Sequence, residues 1–156
     1  MTEEERQEKL IQGADPYEDD RGKIDNYHLP EEINLIGMIT SKKGTMRANH
    51  YHPVQEQKAL LVSGKFISVC KDLGKGFDGT NEADFPIQVK IVKAGDLSII
   101  PPNIAHTMIF LEDSAFLNLV RGDRDHDKFG EHTIKYDLVK EEEVEKYVTQ
   151  YGNSET

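Results

Sequence analysis

The sequence predicts an all-β domain, an antiparallel sandwich or jelly-roll barrel with a short helix near each end. Three observations support this class. The 156 residues are the length of one ordinary domain. Short runs rich in Val, Ile, Leu and Phe recur along the chain, and Gly or Pro falls in most gaps between them. No helical period separates these runs, which is typical of sandwiches and barrels.

The first twenty residues are expected to form an acidic N-terminal segment outside the barrel. Residues 3–11 mix acidic and basic side chains with Leu10 and Ile11, a pattern that predicts a short helix. Gly13 and Pro16 are expected to end this helix, because both residue types interrupt helices. The barrel is then expected over residues 21–138.

Nine short runs are predicted to be the strands of this barrel. In chain order they are Asn34–Thr40, Met46–Tyr51, Lys58–Val62, Lys65–Lys71, Ile87–Val92, Leu97–Ile100, His106–Leu111, Ala115–Arg121 and Thr133–Leu138. Beyond the last run, one set of apolar residues recurs at helical spacing, namely Val144, Tyr147, Val148 and Tyr151. This predicts a helix over Lys140–Tyr151, inside a C-terminal segment that spans residues 139–156.

The formal net charge of −10 lies in the two ends of the chain. Residues 1–20 hold eight acids and two bases, and residues 137–156 hold six acids and two bases. A nucleic acid is therefore not an expected partner, because both ends would repel a polyanion. An anionic small molecule is compatible with the balanced body between them.

The sequence also predicts a cytoplasmic protein without a membrane partner. Its apolar runs are far shorter than the roughly 20 residues that a membrane span needs. The first residues lack the basic and apolar regions of a secretory signal. The single cysteine, Cys70, lies in a predicted strand and is interpreted as an inert buried residue.

Three histidines form the pattern most suggestive of chemistry. His50 and His52 are two residues apart, so a strand would present both imidazoles on one face. His106 follows a proline-containing turn some fifty residues later. Together with a nearby carboxylate or amide, three imidazoles suit a divalent metal such as zinc, iron, manganese or nickel.

The spacing of these residues resembles the two sequence motifs of the cupin superfamily. The first motif is matched by Gly44, His50, His52, Glu56 and Gly64, and the second by Gly95, Pro101 and His106. The fourth ligand position stays open, because the count from His52 selects Glu56 whereas the count back from Gly64 selects Gln57. These neighbours point to opposite faces of a regular strand. The resemblance implies a cupin jelly-roll barrel and the metal ligands His50, His52, His106 and Glu56, with Gln57 as the alternative.

Within the cupins, several runs resemble the dTDP-4-dehydrorhamnose 3,5-epimerases and related sugar-nucleotide enzymes. These runs are Asp19–Gly22, Lys43–Tyr51, Leu61–Leu73 and Ile100–His106. The resemblance implies that His50 is the base that removes a proton next to a keto group, and that Arg21 and Arg47 bind the diphosphate and the sugar. Arg47 is also implied as a catalytic partner of His50. Gln57 and Asn118 fall near positions where that group has a lysine and a tyrosine, and they are expected to contact substrate.

Three functional hypotheses follow. The first is an enzyme of carbohydrate biosynthesis that epimerises or isomerises a nucleotide-linked or related keto-sugar by proton abstraction. A neutral imidazole, with an ordinary pKa near 6.5, suits that step at neutral pH. The second is a mononuclear metal-dependent oxygenase or lyase, and the third is a sugar-binding cupin without catalysis. The resemblance also implies a homodimer.

Overall fold

The computed structural model describes residues 6–121 and 133–152, which form an antiparallel jelly-roll sandwich. The strands in these ranges are β1 (Lys9–Ile11), β2 (Ala14–Asp19), β3 (Gly22–Asn26), β4 (Leu35–Ser41), β5 (Met46–Tyr51), β6 (Gln57–Ser63), β7 (Lys65–Asp72), β8 (Gln88–Lys93), β9 (Leu97–Ile100), β10 (Ile104–Phe110), β11 (Ser114–Val120) and β12 (Ile134–Lys135). One turn of 3₁₀ helix (Glu141–Glu143) leads into helix α1 (Val144–Tyr151).

The strands assemble into two five-stranded sheets and a separate hairpin. The first sheet has the order β1-β9-β6-β11-β4, and the second has the order β12-β5-β10-β7-β8. Strands β2 and β3 pair only with each other. The two large sheets therefore enclose the interior of the barrel, and β5, β6 and β10 bring the predicted site residues into it.

Side chains along each strand alternate between the interior of the barrel and the outer face of its sheet. The interior cluster between the sheets consists of Ala59, Leu61, Phe66, Val92, Met108, Phe110 and Phe116. Outside the second sheet, Ile67, Val69 and Ile109 pack against Val139 and α1. The interior is thus closed by large side chains below the histidine positions. No helix in the described ranges is long and apolar enough to cross a membrane.

All nine predicted strands overlap observed strands, and the predicted C-terminal helix corresponds to the 3₁₀ turn and α1. Gly64 shows how the motif glycines permit this fold. It has φ of +95° in the turn from β6 to β7, and a Cβ atom there would lie 2.1 Å from Oγ of Ser114. Asn103, in the turn between β9 and β10, has φ of +61°. Asparagine tolerates this left-handed conformation better than most residues.

The helix predicted over residues 3–11 is wrong where the structure describes it. Lys9–Ile11 form β1, which pairs antiparallel with β9. Leu10 packs against the interior cluster, whereas Ile11 packs against the outer cluster around Leu97. Adjacent side chains on opposite faces are the mark of a strand. Part of the segment assigned to the acidic N-terminus therefore belongs to the barrel sheet.

Glu8 also departs from the expectation of a solvated acidic end. Its side chain is 3% exposed and accepts hydrogen bonds from Ser68 Oγ at 2.8 Å and Ser98 Oγ at 2.5 Å. Burial raises the pKa of Glu8, although these hydrogen bonds and Lys90 oppose the rise. Cys70 lies in the same cluster, where burial raises the pKa of its thiol. This agrees with its interpretation as an inert strand cysteine.

Candidate functional site

The three motif histidines meet at one end of the barrel interior. His50 lies on β5, His52 follows that strand directly, and His106 on β10 pairs with His50 across the sheet. One ligand nitrogen from each ring can be chosen so that all three lie within 4.8 Å of one another. His52 and His106 are 4% and 1% exposed. The imidazoles therefore form a compact cluster that excludes most solvent.

Gln57, at the start of β6, completes this cluster. Its Oε1 atom lies 3.0 Å from Nε2 of His52 and 2.9 Å from Nε2 of His106. Glu56 instead places its carboxylate 3.9 Å from Nζ of Lys58, outside the histidine cluster. The fourth position is therefore held by Gln57. The alternative choice of Glu56 as a metal ligand is not supported by this register, because Gln57 and Glu56 point in different directions.

His106 is held as a neutral imidazole. Burial, assisted by the neighbouring His50 and His52 rings, lowers its pKa well below the ordinary value. The Ile104 carbonyl oxygen lies 2.9 Å from Nδ1 and accepts its proton, so a neutral ring carries a lone pair on Nε2. A half-turn of the Gln57 amide, which exchanges its oxygen and nitrogen, presents a donor to that lone pair. Thr133 Oγ1 lies 3.2 Å from Nδ1 of His52.

Arg47 lies at the mouth of the site and connects the two sheets. It extends from β5 toward β4, where Nε donates to Ser41 Oγ at 2.5 Å and Nη2 donates to the Thr40 carbonyl at 2.9 Å. These contacts fix the direction of the guanidinium, and Arg47 remains exposed to solvent. A permanently charged fork in this position suits a carboxylate or phosphate oxygen.

A cavity of about 320 Å³ opens between the sheets at this point. Its polar lining comes from Arg47, His50, His52, Gln57, Asn118 and Thr133. Its apolar lining comes from Ile39, Ala48, Met108 and Phe116. This volume lies at the small end of ligand sites and suits a single sugar ring. The predicted contact residues Gln57 and Asn118 both line it.

Arg21 is not brought to this cavity. It lies in the turn between β2 and β3, its side chain is 87% exposed, and Nη2 lies 2.6 Å from Oδ2 of Asp19. Within this chain, Arg21 therefore does not share the cavity that Arg47 lines, and its contact with substrate stays a prediction. The hairpin of β2 and β3 pairs with neither large sheet. The sequence run Asp19–Gly22 therefore does not by itself determine where the hairpin lies relative to the barrel.

The donor set fits a divalent metal ion. Three imidazole nitrogens within 4.8 Å, with the Gln57 amide in the orientation that turns its oxygen toward them, form an N₃O set of the kind that zinc, iron, manganese and nickel accept. Neutral imidazoles are the form that binds a metal, and His106 is held neutral. The same arrangement also serves a base that works without a metal. The geometry therefore supports both uses.

Sequence reasoning missed the apolar wall of the cavity and Thr133. Ile39 and Phe116 lie on β4 and β11, and only the pairing of these strands shows which side chains face inward.

Two further histidines, His126 and His132, lie outside the described residues. The sequence assigned both to a solvated charged loop.

Comparison with known proteins finds solved structures that share this fold. No protein family profile matches the sequence, and no curated protein resembles it significantly. Solved structures do resemble the fold. A 3,4-ketoisomerase from Helicobacter canadensis superimposes with a TM-score of 0.65 at 19% identity, covering 91% of this chain and 97% of that one.

Two more structures extend this likeness. The dTDP-4-dehydrorhamnose 3,5-epimerase from Sulfolobus tokodaii has a TM-score of 0.59 at 21% identity, with 85% of this chain and 81% of that chain covered. A 3,4-ketoisomerase from Thermoanaerobacterium thermosaccharolyticum, in complex with TDP-4-keto-6-deoxyglucose, has a TM-score of 0.64 at 15% identity, with coverages of 92% and 96%. The chain therefore has the cupin fold of these sugar-nucleotide enzymes, as the sequence motifs predicted.

Proposed function

We propose that the protein is an enzyme that moves a proton next to the carbonyl of a nucleotide-linked or related keto-sugar. One observation carries this proposal: His50 and His52, two members of the three-histidine cluster, line one cavity of sugar-ring size together with Arg47. The fold neighbours support the substrate class, because they include a dTDP-4-dehydrorhamnose 3,5-epimerase and a 3,4-ketoisomerase in complex with TDP-4-keto-6-deoxyglucose. A 4-keto-6-deoxy sugar linked to TDP is the first substrate to test.

The chemistry assigns separate roles to the cavity residues. His50 takes the proton from the carbon next to the carbonyl, and the electron pair of the broken C–H bond moves to form an enolate. Arg47 offers hydrogen bonds to the developing negative oxygen or to the diphosphate. His52 and Gln57 orient the ring through their polar atoms. For a keto shift, His50 delivers this proton from the same face to the former carbonyl carbon, while the proton of the neighbouring hydroxyl passes to the former carbonyl oxygen, so that no external acid is needed.

The distribution of titratable groups favours keto isomerisation over epimerisation. Among the described residues that line the cavity, the titratable side chains are Arg47, His50 and His52, and all three come from β5 or its end. Asn118, on β11 in the opposite sheet, is an amide and delivers no proton. Epimerisation requires a proton donor on the face opposite the base, whereas a keto shift uses one face. We therefore favour a ketoisomerase.

Product identity tests this choice. The purified protein is incubated with TDP-4-keto-6-deoxyglucose, and the products are followed by proton and carbon NMR. The proposal expects the carbonyl to move to the neighbouring ring carbon. A product with the carbonyl retained and one stereocentre inverted would establish epimerisation instead. Unchanged substrate, also with the corresponding UDP sugar, would contradict the proposed function.

A metal-dependent oxygenase or lyase is the second candidate, and the N₃O donor set favours it. His50, His52, His106 and Gln57 would hold the ion, which when bound supplies a Lewis acid that polarises a substrate oxygen. Elemental analysis of protein purified without a chelating tag tests this. About one equivalent of iron, manganese, nickel or zinc is expected for the metal enzyme. Less than about a tenth of an equivalent, with unchanged turnover after chelation, would exclude it.

A homodimer and a cytoplasmic location remain predictions. Light scattering on the eluting protein tests the first, with twice the chain mass of 17.7 kDa as the expected result. A single-chain mass would contradict it. Fractionation of the producing cells tests the second.

A further inference from the structure

Strand β5 contains an extra residue between its two functional side chains. Across the sheet, His106 pairs with His50 but Thr107 pairs with Ala48, so Asn49 is the inserted position of a β-bulge. Ala48 and Asn49 have φ of +78° and +56°, in the left-handed region. Asparagine adopts this conformation more readily than most residues, whereas alanine is strained there. The bulge is therefore costly to form and needs other contacts to hold it.

The bulge decides where Arg47 and His50 point. In a regular strand, residues three apart project from opposite faces, so only one of the two would enter the barrel. With one residue inserted, Arg47 pairs with Met108 and both Arg47 and His50 line the same cavity. The proposed base and the proposed anion contact are together in one site only because of this insertion.

The side-chain amide of Asn49 holds the bulge from the outer face. Its Oδ1 accepts hydrogen bonds from Thr107 Oγ1 at 2.5 Å and from the Val139 backbone N–H at 3.1 Å. Its Nδ2 donates to the Val139 carbonyl at 2.8 Å. The backbone carbonyl of Asn49 accepts a further bond from the Tyr136 N–H at 2.8 Å. One side chain thus links β5, β10 and the chain segment 136–139.

The segment 136–139 is itself anchored. Val139 is 1% exposed and packs with Ile67, Val69 and Ile109 on the outer face of the second sheet. The residues of α1 cover the same cluster. The position of the bulge is therefore tied to the docking of segment 136–139.

We infer that Asn49 is a positioning residue, which locks the bulge that turns Arg47 and His50 into one cavity and makes docking of segment 136–139 a condition for assembling the site. This inference rests on the proposed function for its kinetic consequences. Its structural part stands independently, because the direction of the His50 side chain is measurable in the protein alone. A displacement of about 1 Å in a catalytic group lowers rates by on the order of 100-fold.

The decisive variant is Asn49→Gly. Glycine adopts the left-handed conformation without strain but has no side-chain amide. The variant therefore keeps the backbone conformation accessible and loses the hydrogen bonds to Thr107 and Val139. We expect kcat on TDP-4-keto-6-deoxyglucose to fall by about 10–100-fold, with a raised KM because Arg47 also moves. The side-chain NMR signals of His50 are expected to shift in the protein without substrate. Thr107→Val, which removes one bond to the amide, is expected to show the same changes to a smaller degree.

Val148→Ala is the matched control. It weakens packing of α1 on the same outer cluster but leaves the Asn49 amide in place, so kcat and the His50 signals are expected to stay unchanged. Wild-type kcat and unchanged His50 signals in both Asn49→Gly and Thr107→Val would overturn the inference. If no protein, including the wild type, converts the sugar, the proposed function fails. In that case the shifted His50 signals in Asn49→Gly still support the positioning role.

Discussion

Replacing Gln57 by glutamate probes the electrostatics of the histidine cluster most sharply. The Gln57 side chain places its polar atom 3.0 Å from Nε2 of His52 and 2.9 Å from Nε2 of His106. A carboxylate at that position stabilises a protonated imidazole. At 3 Å and an effective dielectric constant of 20, the attraction is about 5.5 kcal/mol before the cost of burial. Opposite charges within 4–6 Å raise an imidazole pKa by roughly 1–3 pH units after that cost.

We therefore expect Gln57→Glu to raise the pKa of His106, reversing the depression caused by burial. NMR titration of the imidazole protons measures this. Activity at neutral pH is expected to fall and to recover toward higher pH, since the cluster must then lose a proton. Zinc affinity, measured by calorimetry, is expected to rise by at least about tenfold because a carboxylate binds a divalent ion better than an amide.

Glu56→Gln is the matched control, because Glu56 lies beside Lys58 and outside the cluster. It is expected to change neither the titration of His106 nor the affinity for zinc. An unchanged pKa of His106 together with unchanged zinc affinity in Gln57→Glu would refute the placement of Gln57 against the imidazoles.

Three further predictions address stability and binding. The raised pKa of Glu8 means that its contribution to the free energy of unfolding is complete below the ordinary value of 4.5 and is lost as pH rises through the higher folded value. Glu8→Gln should lack that loss in urea titrations from pH 4 to 8, and parallel curves would contradict it. Glu31→Gln weakens the 2.6 Å contact to Lys58, which is 1% exposed; we expect a loss of roughly 1.5–3 kcal/mol in denaturant unfolding, against no loss for the exposed Glu32→Gln. Equal losses would refute this. Arg47→Lys keeps the charge but not the forked geometry, so KM should rise about tenfold or more with a smaller change in kcat; an unchanged KM would contradict a role in binding.

The histidine cluster was predictable because it depends on two features that can be read from short stretches of sequence. His50 and His52 share a face at a separation of two, and His106 follows a turn whose proline limits the backbone. The strands were predictable for the same reason, since apolar runs and glycine turns are local features. The predicted strands and the three clustered histidines accordingly lie where the sequence predicted them.

The remaining features depend on pairing between distant strands. The choice between Glu56 and Gln57 depended on the register at the start of β6. Counting residues forward from His52 selected Glu56, whereas counting back from Gly64 selected Gln57. The bulge at Asn49 appears only when β5 is aligned with β10. Glu8 is hydrogen-bonded by serines 60 and 90 residues away, so nothing in its acidic neighbourhood indicated burial. Arg21 belongs to a hairpin outside both large sheets, where the motif alone does not determine its location.

The central claim is that His50 removes a proton from a carbon next to a keto group. Solvent exchange tests it directly: TDP-4-keto-6-deoxyglucose is incubated in deuterium oxide with the wild type and with His50→Asn, and the ring-proton signals are followed by NMR. The wild type is expected to introduce deuterium on C3 of recovered substrate and on C4 of the keto-shifted product, and His50→Asn to do so at least about 100-fold more slowly, within the range of general base catalysis. No exchange by the wild type, or equal exchange by the folded variant, would contradict the assignment of His50 as the base.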